Sequence, residues 1–198
     1  MFSKKGKEKL NDEEKSDHKI VRELNHIYFH CEVDRESVFE LATLIREAEE
    51  ESLITSLKLG IDEVPIYLHI NSLGGFIYEA FIIIDIMTAC KVPIHTIVEG
   101  STASAGTLIS IFGIKRYIRP NAYMLIHQLS TDSWGGKMNE IEDEFKNLHD
   151  LMGKIKRIYK EKTKLNKKDL NDILKHDLWF DADKCITCGL VDDVWTKR

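Results

Sequence analysis

The stretch that most constrains this chain is residues 94–113. Its first five residues (Ile94, His95, Thr96, Ile97, Val98) are rich in β-branched types and follow Lys91, Val92 and Pro93, so they read as a short buried strand. After Ala103 the residues are small and apolar enough for a helix packed inside the protein, and the small residues from Gly100 form the turn between the two. A junction of this kind can set one hydroxyl at the N-terminal end of a buried helix. There, unpaired N–H groups and the helix dipole would stabilise a forming alkoxide. Ser104 is the hydroxyl in question; the competing reading is that small residues serve only a close helix approach.

The strand-then-helix unit occurs in two earlier copies. Residues 27–33 read as a strand, and Asp34 can cap a helix over 37–53 with Val38, Leu41, Leu44, Ile45 and Ala48 at helical spacing. Residues 64–70 form a second apolar strand, followed by the turn at 71–75 and a helix over 76–90. Beyond Gly113 come a segment at 115–118 and a strand at 122–127. The longest periodic helix is predicted at 137–162, with Met138, Ile141, Phe145, Leu148, Leu151, Met152, Ile155 and Tyr159 on one side. Asn166 can cap a helix over 167–175, Asp181 another that stops at Gly189, and residues 190–195 close as a strand. Such alternation implies an α/β fold with a largely parallel sheet, from which the long helix projects as an arm. Residues 1–18 are a charged tail with little to bury, expected to be disordered in isolation, and 19–198 are expected to form a single domain.

Charge narrows the function classes. With 28 Lys+Arg against 33 Asp+Glu the net charge is −5, which supplies no broad attraction for nucleic acid or an anionic membrane. The longest apolar runs are about half the roughly 20 residues a bilayer span requires, and no signal-peptide core stands at the N-terminus, so a cytoplasmic protein is expected. Cys31, Cys90, Cys185 and Cys188 are expected to be reduced thiols.

Two strand-to-helix turns carry chemistry. Adjacent Gly74 and Gly75, like the small residues around Ser104, leave backbone N–H groups unshielded, as an oxyanion site requires. In order along the chain then come His127, at the end of the strand at 122–127, and Asp177, ahead of the Gly189-Leu190-Val191-Asp192 ending. With the Asn71-Ser72-Leu73-Gly74-Gly75 turn and the Ala103-Ser104-Ala105-Gly106 elbow, these motifs make residues 25–195 resemble the proteolytic-subunit family of Clp proteases, the ClpP-like serine peptidases. The resemblance implies a ClpP/crotonase-like α/β fold and a Ser104, His127, Asp177 triad, with the N–H groups of Gly75 and Ala105 as the oxyanion hole. It implies no metal or other cofactor. Its implied activity is serine endopeptidase hydrolysis of peptides or unfolded proteins through an acyl-enzyme. The implied assembly is a homo-oligomeric ring, two stacked heptamers in that family, with the long helices meeting between rings and a separate AAA+ unfoldase supplying ATP use. The chain itself has no GxxxxGK[ST] loop.

Four positions depart from the family pattern. Ala105 follows the nucleophile where Met is frequent, Leu73 and Leu129 stand where Pro is usual, and His176 replaces an Arg associated with joining rings. Other readings left open are a non-catalytic ring or scaffold subunit, a phage-type maturation protease, and a crotonase-type acyl-CoA enzyme. Cys185 and Cys188 form one CxxC pair, read as packing residues one helical turn apart. His69 and His95 are read as structural or surface residues, no partner is evident for His26 or His30, and Trp134 is a candidate substrate contact.

Overall fold

A computed structural model describes residues 19–131 and 135–197. Its framework is an eight-stranded sheet. The strands are β1 (Lys19–Glu23), β2 (His26–His30), β3 (Ile66–Ser72), β4 (Ile94–Ala103), β5 (Lys115–Ile118), β6 (Tyr123–Leu125), β7 (Trp179–Phe180) and β8 (Asp193–Val194). The order is β1-β2-β3-β4-β5-β8, and β6 pairs with the far end of β4 and with β7. From β2 to β8 every neighbouring pair is parallel; only β1 on β2 and β7 on β6 are antiparallel. The largely parallel sheet expected from the alternation is therefore present, while β1 and β7 are antiparallel additions absent from the sequence reading.

Helix α1 (Arg35–Leu59) starts where expected, because the Asp34 side chain accepts from the Ser37 N–H at 2.8 Å and Ser37 Oγ accepts from the Asp34 N–H at 3.0 Å. It runs past the predicted end at 53, since no breaker precedes Gly60, whose left-handed φ of 64° ends it. Helix α2 (Ile77–Ala89) and the short α3 (Ala105–Ser110) follow β3 and β4. One core packs Ile27, Phe29, Leu68 and Ile70 against Leu41, Ile45 and Ile83. A second joins Val98, Ile118 and Met124 to the later helices, α4 (Met138–Lys162), α5 (Lys167–Ile173) and α6 (Ala182–Cys188). The long helix α4 buries Leu151, Ile155 and Tyr159 in its second half, whereas Met138 and Phe145 in its first half are 72% and 60% exposed. Its stripe is thus fully buried only in the second half, where α4 packs on α5 and Tyr159 reaches Thr107 of α3. No helix among the described residues is long and apolar enough to cross a membrane. The expected tail at 1–18 and Trp134 lie outside the described residues.

The other face of the sheet corrects the reading of two histidines. His26 Nδ1 lies 2.9 Å from His69 Nε2, and His69 Nδ1 lies 2.9 Å from Glu99 Oε1. Arg119 Nε donates to the same carboxylate at 3.0 Å, and His30 Nε2 stands 3.5 Å from Glu99 Oε2, at the outer limit of a hydrogen bond. The rings of His30 and His69, followed by the Arg119 guanidinium, hold the Glu99 carboxyl well below the usual carboxylate range against the cost of its burial. His26 therefore has a partner, contributed by β3, while His30 Nε2 faces the Glu99 carboxylate of β4 without a hydrogen bond, and His69 and His95 are buried rather than at the surface. Cys185 and Cys188 are also buried, in keeping with the packing reading.

Candidate active site

Strand β4 is twice the expected length, and the added residues build the site. Ser101, Thr102 and Ala103, read above as a turn, pair with Tyr123, Met124 and Leu125 of β6. A register shift between Ile70 and Ser72, opposite Gly100 with its φ of 57°, lets β4 leave β5 for this new neighbour. The whole direction change into α3 then falls on Ser104, which has φ 53° and ψ −122°. A non-glycine residue in that region carries strain of about 1–3 kcal/mol and persists only where its surroundings hold it. They do so from both sides: the Ser104 N–H donates to the Leu125 carbonyl at 3.1 Å, and the Ser104 carbonyl accepts from the Thr107 N–H at 3.1 Å.

The turn after β3 closes against this elbow. A Cβ on Gly74 would stand 2.7 Å from Ser104 Cβ, so only glycine fits there. Gly75 bridges to Val33 in parallel fashion: the Val33 N–H donates to the Gly74 carbonyl at 2.7 Å and the Phe76 N–H to the Val33 carbonyl at 2.8 Å. The bonding pair flanks Gly75 and leaves its own N–H out of the ladder. Ala105 is the first residue of α3, where N–H groups have no intrahelical acceptor. Neither N–H has a partner among the described residues. Since α3 has only six residues, its dipole is small, and the local N–H groups carry the electrostatics.

Gly75, Ser104, Ala105 and His127 all line one cavity of about 570 Å³, walled by Leu108, Leu151, Ile155 and Tyr159 and flanked by the exposed Phe76 and Tyr78. Four of the five residues singled out in the sequence thus converge. The fifth, Asp177, does not line the cavity; it is exposed, two residues ahead of β7. No hydrogen bond among the described residues joins Ser104, His127 and Asp177. The β6–β7 register nonetheless bears on that pair. Met124 faces Phe180 and Leu125 faces Trp179, so the same antiparallel ladder carried two residues further would set His127 opposite Asp177. Sequence reasoning missed Thr107 and used Tyr159 only as part of an apolar stripe. The signal was available, since a tyrosine on a buried helix face needs a partner for its hydroxyl.

A mostly parallel sheet with a strained serine elbow between β4 and α3 has a known architectural counterpart. The structure superposes on a ClpP1 mutant from Listeria monocytogenes with a TM-score of 0.75, covering 88% of this chain and 93% of that one at 23% identity, so the fold is the ClpP-like α/β class. A family profile described as Clp protease matches residues 24–198. The chain is 32% identical over 171 residues to an ATP-dependent Clp protease proteolytic subunit from Bdellovibrio bacteriovorus, covering 83% of this chain and 81% of the relative. A proteolytic subunit 2 of the same description from Treponema denticola is 32% identical over 136 residues, 68% of each chain. The chain belongs to the Clp protease family of serine-type peptidases.

Proposed function

We propose that this chain is the proteolytic subunit of an energy-dependent protease, hydrolysing peptide bonds with Ser104 as nucleophile, His127 as general base and Asp177 as the carboxylate that orients His127. The observation that carries the reading is the strained Ser104 elbow, opening into the same cavity as His127 and the unpartnered N–H groups of Gly75 and Ala105. Ser104 Oγ attacks the scissile carbonyl while the His127 imidazole takes its proton. The two N–H groups receive the negative charge on the tetrahedral oxygen; the imidazolium then protonates the departing amine. Water repeats the sequence in reverse on the acyl-enzyme. The β6–β7 register supports the Asp177 role, because the same ladder carried two residues further would set His127 opposite Asp177, which is exposed.

The assembly proposed is a homo-oligomeric ring, two heptamers stacked through the exposed first half of α4, with the peptidase domain at 19–198 and the charged 1–18 segment as a tail. The partners proposed are an unfolded polypeptide substrate and a separate AAA+ unfoldase, in the cytoplasm. The decisive test is a serine-directed fluorophosphonate with mass mapping of the adduct. Modification at Ser104, and loss of both adduct and peptide cleavage in Ser104→Ala with assembly retained, are expected. An adduct at a different residue, or parent-rate cleavage by Ser104→Ala, would sink the assignment.

A further inference from the structure

A second polar chain reaches the elbow from the far end of α4. Thr107 Oγ1 lies 2.6 Å from the Ser104 carbonyl oxygen and 2.6 Å from the Tyr159 hydroxyl. A carbonyl only accepts, so the single proton of the Thr107 hydroxyl goes to Ser104, and the Tyr159 O–H must donate to Thr107 Oγ1. The direction of the chain follows from this inventory alone. Thr107 is 0% and Tyr159 2% exposed, so water has no access to compete for either hydroxyl. Burial also pushes the Tyr159 phenol well above its ordinary titration range, which keeps it a protonated donor.

The bond to the Ser104 carbonyl is also the shortest that group receives; the N–H groups of Thr107 and Leu108 stand at 3.1 and 3.3 Å. At ψ −122° this carbonyl is the part of Ser104 that would swing if the elbow relaxed toward ordinary helical geometry. We propose that Tyr159 is a positioning residue for the nucleophile: acting through Thr107, it holds Ser104 in its strained conformation and makes the aim of the serine hydroxyl depend on how α4 is seated. The inference rests on Ser104 being the nucleophile. It gives the long helix a role at the reaction centre in addition to its role in assembly, because the residue that locks the elbow lies 52 positions along the chain, on the last turn of that helix.

A tyrosine that merely satisfies its own hydroxyl would affect stability but not the reactivity of the folded enzyme, so the test reads both. The full chain and its variants Tyr159→Phe, Thr107→Val and Thr107→Ser are compared for the rate of Ser104 phosphonylation, for kcat and KM on a fluorogenic peptide, and for melting temperature and assembly. Loss of one hydrogen bond predicts that Tyr159→Phe and Thr107→Val each slow phosphonylation and kcat about tenfold with KM unchanged. Their double variant is expected to be no slower than either alone, and Thr107→Ser, which keeps the hydroxyl, to react as the parent does. Parent-like rates in both Tyr159→Phe and Thr107→Val, or losses that only follow the folded fraction, would overturn the inference while leaving a labelled Ser104 intact. A parent that forms no Ser104 adduct would overturn the nucleophile assignment and this inference together.

Discussion

Replacing Glu99 by Gln tests the polar network on the outer sheet face. The carboxylate accepts from His69 Nδ1 at 2.9 Å and from Arg119 Nε at 3.0 Å on the same oxygen, with His30 Nε2 3.5 Å from the other. Glutamine keeps one acceptor oxygen but removes the charge, and its NH₂ turns donors toward a site whose neighbours already donate. Hydrogen bonds to charged groups contribute about 1.5–3 kcal/mol each, and His69 is 2% exposed, so its loss is little compensated by water. With the His69 and Arg119 bonds both kept but to a neutral oxygen, and an NH₂ turned toward His30, the net loss is about 2 kcal/mol, or about 4–8 °C in Tm for a chain of this size. The pH dependence carries a sign. Glu99, held below its ordinary range, contributes stability that is complete above about pH 4.3 and is lost as the pH falls further. His26 is also held down, by burial and then by the neighbouring His69 against the opposite pull of Glu23, so its contribution fades from about pH 6.5 downward. Thermal melts at fixed protein concentration from about pH 8 to 3 should therefore show the parent losing stability below about pH 6.5. Glu99→Gln should start lower and fall less steeply below about pH 4.3. A variant within about 0.5 kcal/mol of the parent at pH 7.5 would refute the account of the network.

Three further outcomes are expected. Gly75→Ala sets a Cβ against the Val33 carbonyl at a φ of +143°, displacing the N–H assigned to the oxyanion; kcat should fall about 10²–10³-fold, and parent-like kcat would remove Gly75 from that role. Phe145→Glu charges the uncovered half of α4, so sedimentation at micromolar concentration should shift from ring toward smaller species, and an unchanged profile would move the ring contact elsewhere. Burial, helped by Cys188 and Asp181, pushes the Cys185 thiol up to about 12, so iodoacetamide should leave it unmodified in the folded protein at pH 8; rapid alkylation would contradict its place in the core.

Features governed by short-range chemistry were legible in the sequence. The Asp34, Asn166 and Asp181 caps occupy the predicted helix starts, because a side-chain oxygen two or three residues from a free N–H depends on little beyond the local chain. The span of α4 likewise follows from its own periodicity, and Ser104, Gly75 and Ala105 were marked by small residues at strand-to-helix junctions. Contacts between distant segments had no such signature. That β4 would outrun its predicted end to pair with β6, that β7 would lie antiparallel beside it, and that Glu99 would gather groups from β2, β3 and the end of β5 all depend on which strands become neighbours. The Tyr159–Thr107–Ser104 chain belongs with these: only Ser104 stood out in the sequence, and the three residues become one hydrogen-bonded line only when α4 packs onto α3, since a hydrogen bond requires atoms within about 3 Å and sequence separation carries no information about that distance.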